Sequence, residues 1–308
     1  MKQKKLVMVG CAESGYHVIK ELLESGFKFD YFVTITKEKA IQANASGYFD
    51  FSVLAKKYQI PIYYCERYSL KSHNDIQFFK EQQFDLLIQG GWQRLFPDEI
   101  LKTFSIGAIG IHGSADFLPK GRGRSPLNWS LIENKKRFIM HYYFLINPGI
   151  DDGDVFHYEM FDINEWDDIK TLYYKNSMVT LKVLKEYIPK ILNQSVTFYT
   201  QKGAPSYYPK RTKEDGHIDW KKPVLEIYNL IRAVTKPYPG AFTNLFNSEI
   251  TVWKAQPFDT RIDDIEFNSG QVIQTFENGD FIVKCGDGLL LVTEYDSENQ
   301  IIKNQQFE

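Results

Sequence analysis

"KKLVMVGCAESGYHVIKELLESG", residues 4–26, decides the fold of the first half of the chain. A short apolar run ends at Gly10, and Val18, Ile19, Leu22 and Leu23 then recur at helical spacing before a stop at Gly26. The reading is strand, turn, helix. The pattern continues with "FDYFVTIT" as a strand, "DFSVLAKKYQ" as a helix, "IPIYYC" as a strand, "HNDIQFFKEQQ" as a helix and "FDLLIQGGW" as a strand. Parallel strands need crossover connections, and right-handed strand–helix–strand units supply them. A doubly wound, Rossmann-like α/β domain with a parallel sheet is therefore expected.

Outward from this core, "GAIGIHG" is another strand, "FIMHYYFLI" and "GDVFHYEMFDI" are longer alternating strands, and "DIKTLYYKNSMVTLKVLKEYIPKIL" is a long helix. "QKGAPSYYPKRTKEDGHIDW" is rich in Pro, Gly and charge without a period and reads as a linker. After the helix "PVLEIYNLIRAVTK", the segments "EITVWKA", "GQVIQTF", "DFIVKC" and "GLLLVTEY" read as four short strands of a small, OB-like β-barrel domain. The expected organisation is a catalytic domain over 1–195, a linker over 196–222 and a β domain over 223–308.

The length, 308 residues, fits about two domains. No apolar run approaches the roughly 20 residues of a membrane span, and the N-terminal run is too short for a signal-peptide core. A cytoplasmic protein is expected. The 37 Lys and Arg against 39 Asp and Glu leave a net charge of −2 without a long basic block, which disfavours a large nucleic-acid footprint. Cys11, Cys65 and Cys285 form no CxxC pair and are odd in number, arguing against a disulfide framework or a zinc site. No metal is expected.

The first βα turn, "GCAESG", lacks both the GxGxxG and the GK[ST] spacing, so dinucleotide and P-loop fingerprints are absent. A ligand still belongs at the carboxyl ends of the parallel strands, near the switch in strand order. The strand ends concerned are Gly10, Gly90 to Gln93, and the segment starting at His112. Downstream, "NPGIDDGDV" places Asp151, Asp152 and Asp154 around Gly149 and Gly153 on a turn. A histidine and a carboxylate are the parts of a proton-transfer pair, because the carboxylate fixes the imidazole tautomer and raises its basicity.

"HGSADFLPKGRGRSP" followed by "GIDDGD" resembles the folate-dependent formyltransferases, which include the methionyl-tRNA, glycinamide ribonucleotide and nucleotide-sugar enzymes. Their pattern reads Asn-x-His-x-Ser-Leu-Leu-Pro-x-x-Arg-Gly-x-x-Pro, then Gly-x-Asp-x-Gly-Asp. His112, Ser114, Leu118, Pro119, Arg122, Gly123 and Pro126 match, as do Gly149, Asp151, Gly153 and Asp154. "GCAESG", "GWQRLFPDEIL", "YPKRTKEDGHIDW" and "LIRAVTKPYPGAF" extend the likeness to about residue 245.

The resemblance implies transfer of a formyl group from 10-formyltetrahydrofolate to a primary amine. It makes His112 the general base or proton shuttle and Asp151 its partner, a pairing that contributes on the order of 100- to 10,000-fold. Gly90, Gly91, Trp92, Gly149 and Gly153 would let the backbone approach the pterin. Arg122 and Arg124 either steady an anionic group or brace their loop. Gly10, Ser114, Asn128, Tyr208, Arg211 and Tyr238 complete the candidate substrate contacts, the aromatics being equally readable as packing residues.

There are two departures. Two extra residues lie between His112 and Pro119, and the family's oxyanion-holding asparagine is replaced by Gly110. Loss of one such donor costs roughly 2.7 to 4 kcal/mol if nothing replaces it. Three explanations stay open: a donor from Asn128, Gln93 or protonated His112; room for a bulkier substrate; or a catalytically weak, folate-binding relative. Where the tRNA enzymes carry a basic insertion, "TKEKAIQANASGYFDFS" offers only Lys37 and Lys39, too little to track phosphates. The acceptor expected from the resemblance is thus a UDP- or dTDP-linked amino-dideoxy sugar of surface glycan or nonulosonic acid synthesis, with methionyl-tRNA as the alternative. A homodimer is compatible with this reading.

Overall fold

The computed structural model describes residues 4–45, 47–145, 149–259, 261–262 and 266–308. β1 (Leu6–Gly10) is buried at every position, as a strand covered on both faces must be. α1 (Glu13–Glu24) buries Gly15, Val18, Ile19, Leu22 and Leu23, one stripe at helical spacing. Then come β2 (Tyr31–Thr34), α2 (Lys37–Gln42), α3 (Ser52–Tyr58), β3 (Ile62–Tyr64), α4 (His73–Gln82), β4 (Leu86–Gly90), α5 (Asp98–Leu101) and β5 (Gly107–Ser114). β6 (Arg122–Gly123), α6 (Pro126–Ile132), β7 (Arg137–Phe144), β8 (Val155–Asp162) and α7 (Ile169–Leu192) follow.

Seven of these strands form one sheet in the order β3-β2-β1-β4-β5-β7-β8. β1 to β5 pair in parallel, as the alternation requires. β7 runs antiparallel to β5, so the sheet is mixed at that side. The strand expected over 138–146 ends at Phe144, and Ile146 lies outside the described residues.

The chain builds outward from β1 to β3 and then returns to place β4 on the other side of β1. The carboxyl ends at this reversal, Gly10 and Gly90, are register partners. A Cβ on Gly10 would lie 2.1 Å from the Gly90 carbonyl oxygen, and one on Gly15 would lie 2.0 Å from the same oxygen. Close approach of three backbones, rather than phosphate binding, explains the glycines of "GCAESG".

A second group of elements comprises β9 (Tyr207–Tyr208), α8 (Val224–Val234), β10 (Ala241–Leu245), β11 (Ser248–Pro257), β12 (Val272–Thr275), β13 (Phe281–Lys284) and β14 (Leu289–Asp296). Their antiparallel sheet has the order β10-β11-β14-β13-β12 and forms a curled half-barrel. It contains one strand more than the sequence suggested. β10 escapes because its two-residue turn is Phe246-Asn247, at φ +52° and +63°, where a hairpin signal would read Asn-Gly.

The chain divides into two compact units. One runs through Gly123 and includes Ile139–Phe161 and Tyr173–Tyr207; the other comprises Arg124–Phe138, Asp162–Leu172 and Tyr208–Glu308. α6 thus groups with the C-terminal segments, where Asn128 donates to the Ala233 carbonyl of α8 at 2.7 Å. No helix among the described residues is long and apolar enough to cross a membrane. Burial pushes the Cys65 and Cys285 thiols up to about 12, which leaves both unreactive near neutrality.

Candidate active site

His112 stands near the carboxyl end of β5 and is 9% exposed. Its Nδ1 lies 3.3 Å from Asp151 Oδ2, and its Nε2 lies 3.0 Å from the Gly121 carbonyl oxygen. Both ring nitrogens therefore face oxygen acceptors. Asp151 sits on the turn between β7 and β8 at φ +52°, a left-handed backbone that Asp tolerates better than most residues.

Three groups hold Asp151 there. The Tyr143 hydroxyl donates to Oδ1 at 2.6 Å, and the Gly123 N–H approaches Oδ2 at 3.4 Å. Gln201 Nε2 donates to the Asp151 carbonyl at 2.8 Å and to the Gly153 carbonyl at 2.9 Å. Gln201 Oε1 in turn accepts from the buried Arg122 guanidinium at 2.6 Å. Of the two roles open to Arg122, this geometry supplies the loop brace.

Gly110 and Tyr143 are register partners across β5 and β7. A Cβ on Gly110 would fall 2.5 Å from Tyr143 Cε2 and 2.8 Å from Cζ. The tyrosine ring occupies the room that any larger residue at 110 would need. Burial first, and then the Asp151 carboxylate, hold the Tyr143 phenol protonated well above its ordinary range.

The next register pair is His112 with His141. His141 is 2% exposed and its Nε2 accepts the Leu118 N–H at 3.3 Å. Burial and then the neighbouring His112 pull it down to about 4, so it is a neutral prop for the loop that carries Gly121.

Several sequence-selected residues take packing positions. Gly90 and Gly153 are required by chain contacts: a Cβ would meet Met8 Sδ at 2.8 Å and the Phe144 carbonyl oxygen at 1.7 Å respectively. Gly91 has φ +78° and lies against Ala12, while Gly149 lies beneath the Asp152 carboxylate. Trp92 is a buried core residue set edge-on to Tyr68 at 4.6 Å. Gln93 gives its backbone N–H to the Tyr68 hydroxyl at 3.3 Å. Ser114 is buried and its hydroxyl accepts the Asp116 N–H, closing the turn after β5.

Asn128, offered from sequence as a substrate contact and oxyanion donor, is fully buried against α8 and is a packing residue. Tyr208 stacks on Trp129 with ring centroids 5.6 Å apart and donates to Glu133 at 2.7 Å. The Arg211 guanidinium lies 5.9 Å from the Trp129 ring centre. Tyr208 and Arg211 therefore belong to a stack whose central member, Trp129, the sequence reading omitted. Tyr238 is half-buried and turns back to the Thr235 carbonyl, and Arg124 is exposed.

Tyr143 and Gln201 are the site residues that sequence reasoning missed. Tyr143 looked like an ordinary buried strand position, and Gln201 fell in the aperiodic stretch read as linker. The spacing of β5 and β7 could have suggested Tyr143 once their register was known.

The geometry places a histidine ring and a carboxylate 3.3 Å apart at the strand ends of a mixed α/β sheet. Residues 4–188 match the family model for formyl transferase, and residues 210–307 match that for the formyl transferase C-terminal domain. The chain belongs to the formyl transferase family. It is 32% identical over 256 residues to the bifunctional polymyxin resistance protein ArnA of Wigglesworthia glossinidia brevipalpis, covering 82% of this chain and 38% of that protein. It is 30% identical over 299 residues to methionyl-tRNA formyltransferase of Caldanaerobacter subterraneus subsp. tengcongensis, covering 96% of this chain and 92% of the relative. In fold it is similar to the N-formyltransferase of Helicobacter canadensis, solved with folinic acid and dTDP-3-aminofucose: TM-score 0.66, 18% identity, 96% of this chain and 100% of that one.

Proposed function

We propose that this chain transfers the formyl group of 10-formyltetrahydrofolate to the primary amine of a UDP- or dTDP-linked amino-dideoxy sugar. The observation that carries the reaction is the His112–Asp151 pair, 3.3 Å apart at the end of β5. 10-Formyltetrahydrofolate supplies an activated formyl carbon and leaves as tetrahydrofolate. An amine that has attacked that carbon must lose a proton; once it displaces the Gly121 carbonyl, the neutral His112 ring, with its own proton on Nδ1 toward Asp151, takes that proton on Nε2 and returns it to the folate N10 as the formyl C–N10 bond breaks. Asp151, on the other ring nitrogen, stabilises the imidazolium that forms. The backbone at the end of β4 and just after it, Gly90 to Trp92, and at Gly149 to Gly153 is where the flat pterin would lie.

The sugar is favoured by the ligands of the Helicobacter canadensis protein, which this chain spans completely. The charge after β2 favours it too. Of Lys37 and Lys39, the second gives its ammonium to the Cys65 carbonyl at 2.5 Å and is not available to a phosphate backbone. The second reading, methionyl-tRNA formylation, draws on the 30% identity to the Caldanaerobacter enzyme.

The test offers 10-formyltetrahydrofolate together with a panel of UDP- and dTDP-amino sugars or with methionyl-tRNA, and reads products by mass spectrometry. A formylated sugar is the expected result. Formyl-methionyl-tRNA alone would replace the sugar reading by the second one. Folate binding without transfer to either acceptor would leave a folate-binding relative and overturn the enzymatic reading.

A further inference from the structure

We infer that Tyr143 is a positioning residue of the proton-transfer pair, its ring seated in the space vacated at Gly110 and its hydroxyl fixing the Asp151 carboxylate toward His112. The inference rests on the formyl-transfer reading for its kinetic consequence, but its geometric content stands separately.

Four observations carry it. The ring and Gly110 are complementary across one register position, with no room for a Cβ between them. The hydroxyl is buried and its bond to Asp151 Oδ1 is short, at 2.6 Å, as suits a neutral donor meeting a carboxylate. Asp151 uses its other oxygen toward His112 and the Gly123 N–H, so the two oxygens are divided between positioning and proton transfer. Finally, the carboxylate is 19% exposed, and a carboxylate with access to water needs an anchor to stay in one rotamer. Gly110 thus ceases to be a deletion. It is the condition for a tyrosine on the adjacent strand to reach the carboxylate.

The charged and titratable groups that face this arrangement are Asp151, Asp152, His141 and Arg122. His141 is neutral down to about 4, and the Arg122 guanidinium is tied to Gln201. A change in the titration of His112 therefore reports on Asp151.

Tyr143→Phe keeps the ring and removes only the donor. The His112 ring titration, followed by NMR on the full chain without substrate, is expected to move to lower pH by about half a unit or more as the carboxylate turns toward water. kcat is expected to fall about tenfold or more, with the acid limb of the kcat/KM profile moving in the same direction. An unchanged or raised titration midpoint would overturn the assignment. Because that measurement needs no acceptor, it judges Tyr143 even if no amine is formylated, an outcome that would instead count against the transferase reading.

If Tyr143→Phe does not accumulate folded, the pair Gly110→Asn and Tyr143→Val carries the same question. Gly110→Asn alone meets the ring and loses activity, and Tyr143→Val alone loses the anchor. The double variant is expected to be no worse than Tyr143→Val, since without the ring the asparagine no longer meets it. Additive losses would show that the two positions do not share a task.

Discussion

His112 and His141 lie opposite one another on β5 and β7, the same residue type in the same strand pair, yet their chemistry differs. His112 faces Asp151, with its second nitrogen toward the Gly121 carbonyl. Among the described residues no carboxylate acts on His141, which is pulled down to about 4 by burial and then by His112. One is placed against a carboxylate at the mouth of the site and the other holds a backbone N–H. The difference comes from the loops at the strand ends, since the strands offer both residues the same backbone.

The sharpest way to break this comparison is to remove each ring in turn. His112→Ala should lower kcat/KM on the order of 100- to 10,000-fold while leaving the melting temperature nearly unchanged. Steady-state kinetics with calorimetry on the same samples check both halves. Near wild-type transfer by His112→Ala would remove it as the proton shuttle. The corresponding change at His141 should act through stability.

That second effect has a definite pH window. The folded His141 binds its proton only near pH 4, whereas the unfolded chain binds it near 6.5, so the unfolded state takes up a proton first as pH falls. Its contribution is therefore full above about 6.5 and is lost progressively down to about 4, amounting to on the order of 3 kcal/mol. Urea unfolding at pH 7 and pH 4.5 should show a smaller acid-induced loss in His141→Gln than in the wild type. Equal losses would mean that His141 already finds a partner for its charged form.

The contrast also shows what could be read from the chain and what could not. β1 and α1 were legible because their apolar spacing records local geometry, and His112 with Asp151 because two motifs flanked them. Gly110 was read as a missing piece, since a glycine in a strand says nothing about which ring fills the space beside it. That information sits 33 positions away at Tyr143 and depends on register. The same limit hid Gln201, a neutral residue in a segment without period. It also misplaced Asn128 as a donor, because the face of α6 that packs against α8 is fixed only by tertiary contacts.

Gln201 offers the smallest effect and the finest test. Its amide bridges the Asp151 and Gly153 carbonyls while its oxygen receives Arg122, so one side chain joins the left-handed Asp151 backbone to a buried cation. Gln201→Ala removes two bonds to the turn and leaves the Arg122 guanidinium short of an acceptor. The loss should be about 1 to 3 kcal/mol of stability at neutral pH, with kcat reduced by less than tenfold, since His112 and the Tyr143 anchor remain. Gln201→Glu keeps an oxygen for Arg122 but gives up the donor to both carbonyls. If it restores stability and not kcat, the bridge serves the geometry of Asp151; if it restores both, the bridge only neutralises Arg122, and Asp151 is held by the Tyr143 side of the site alone.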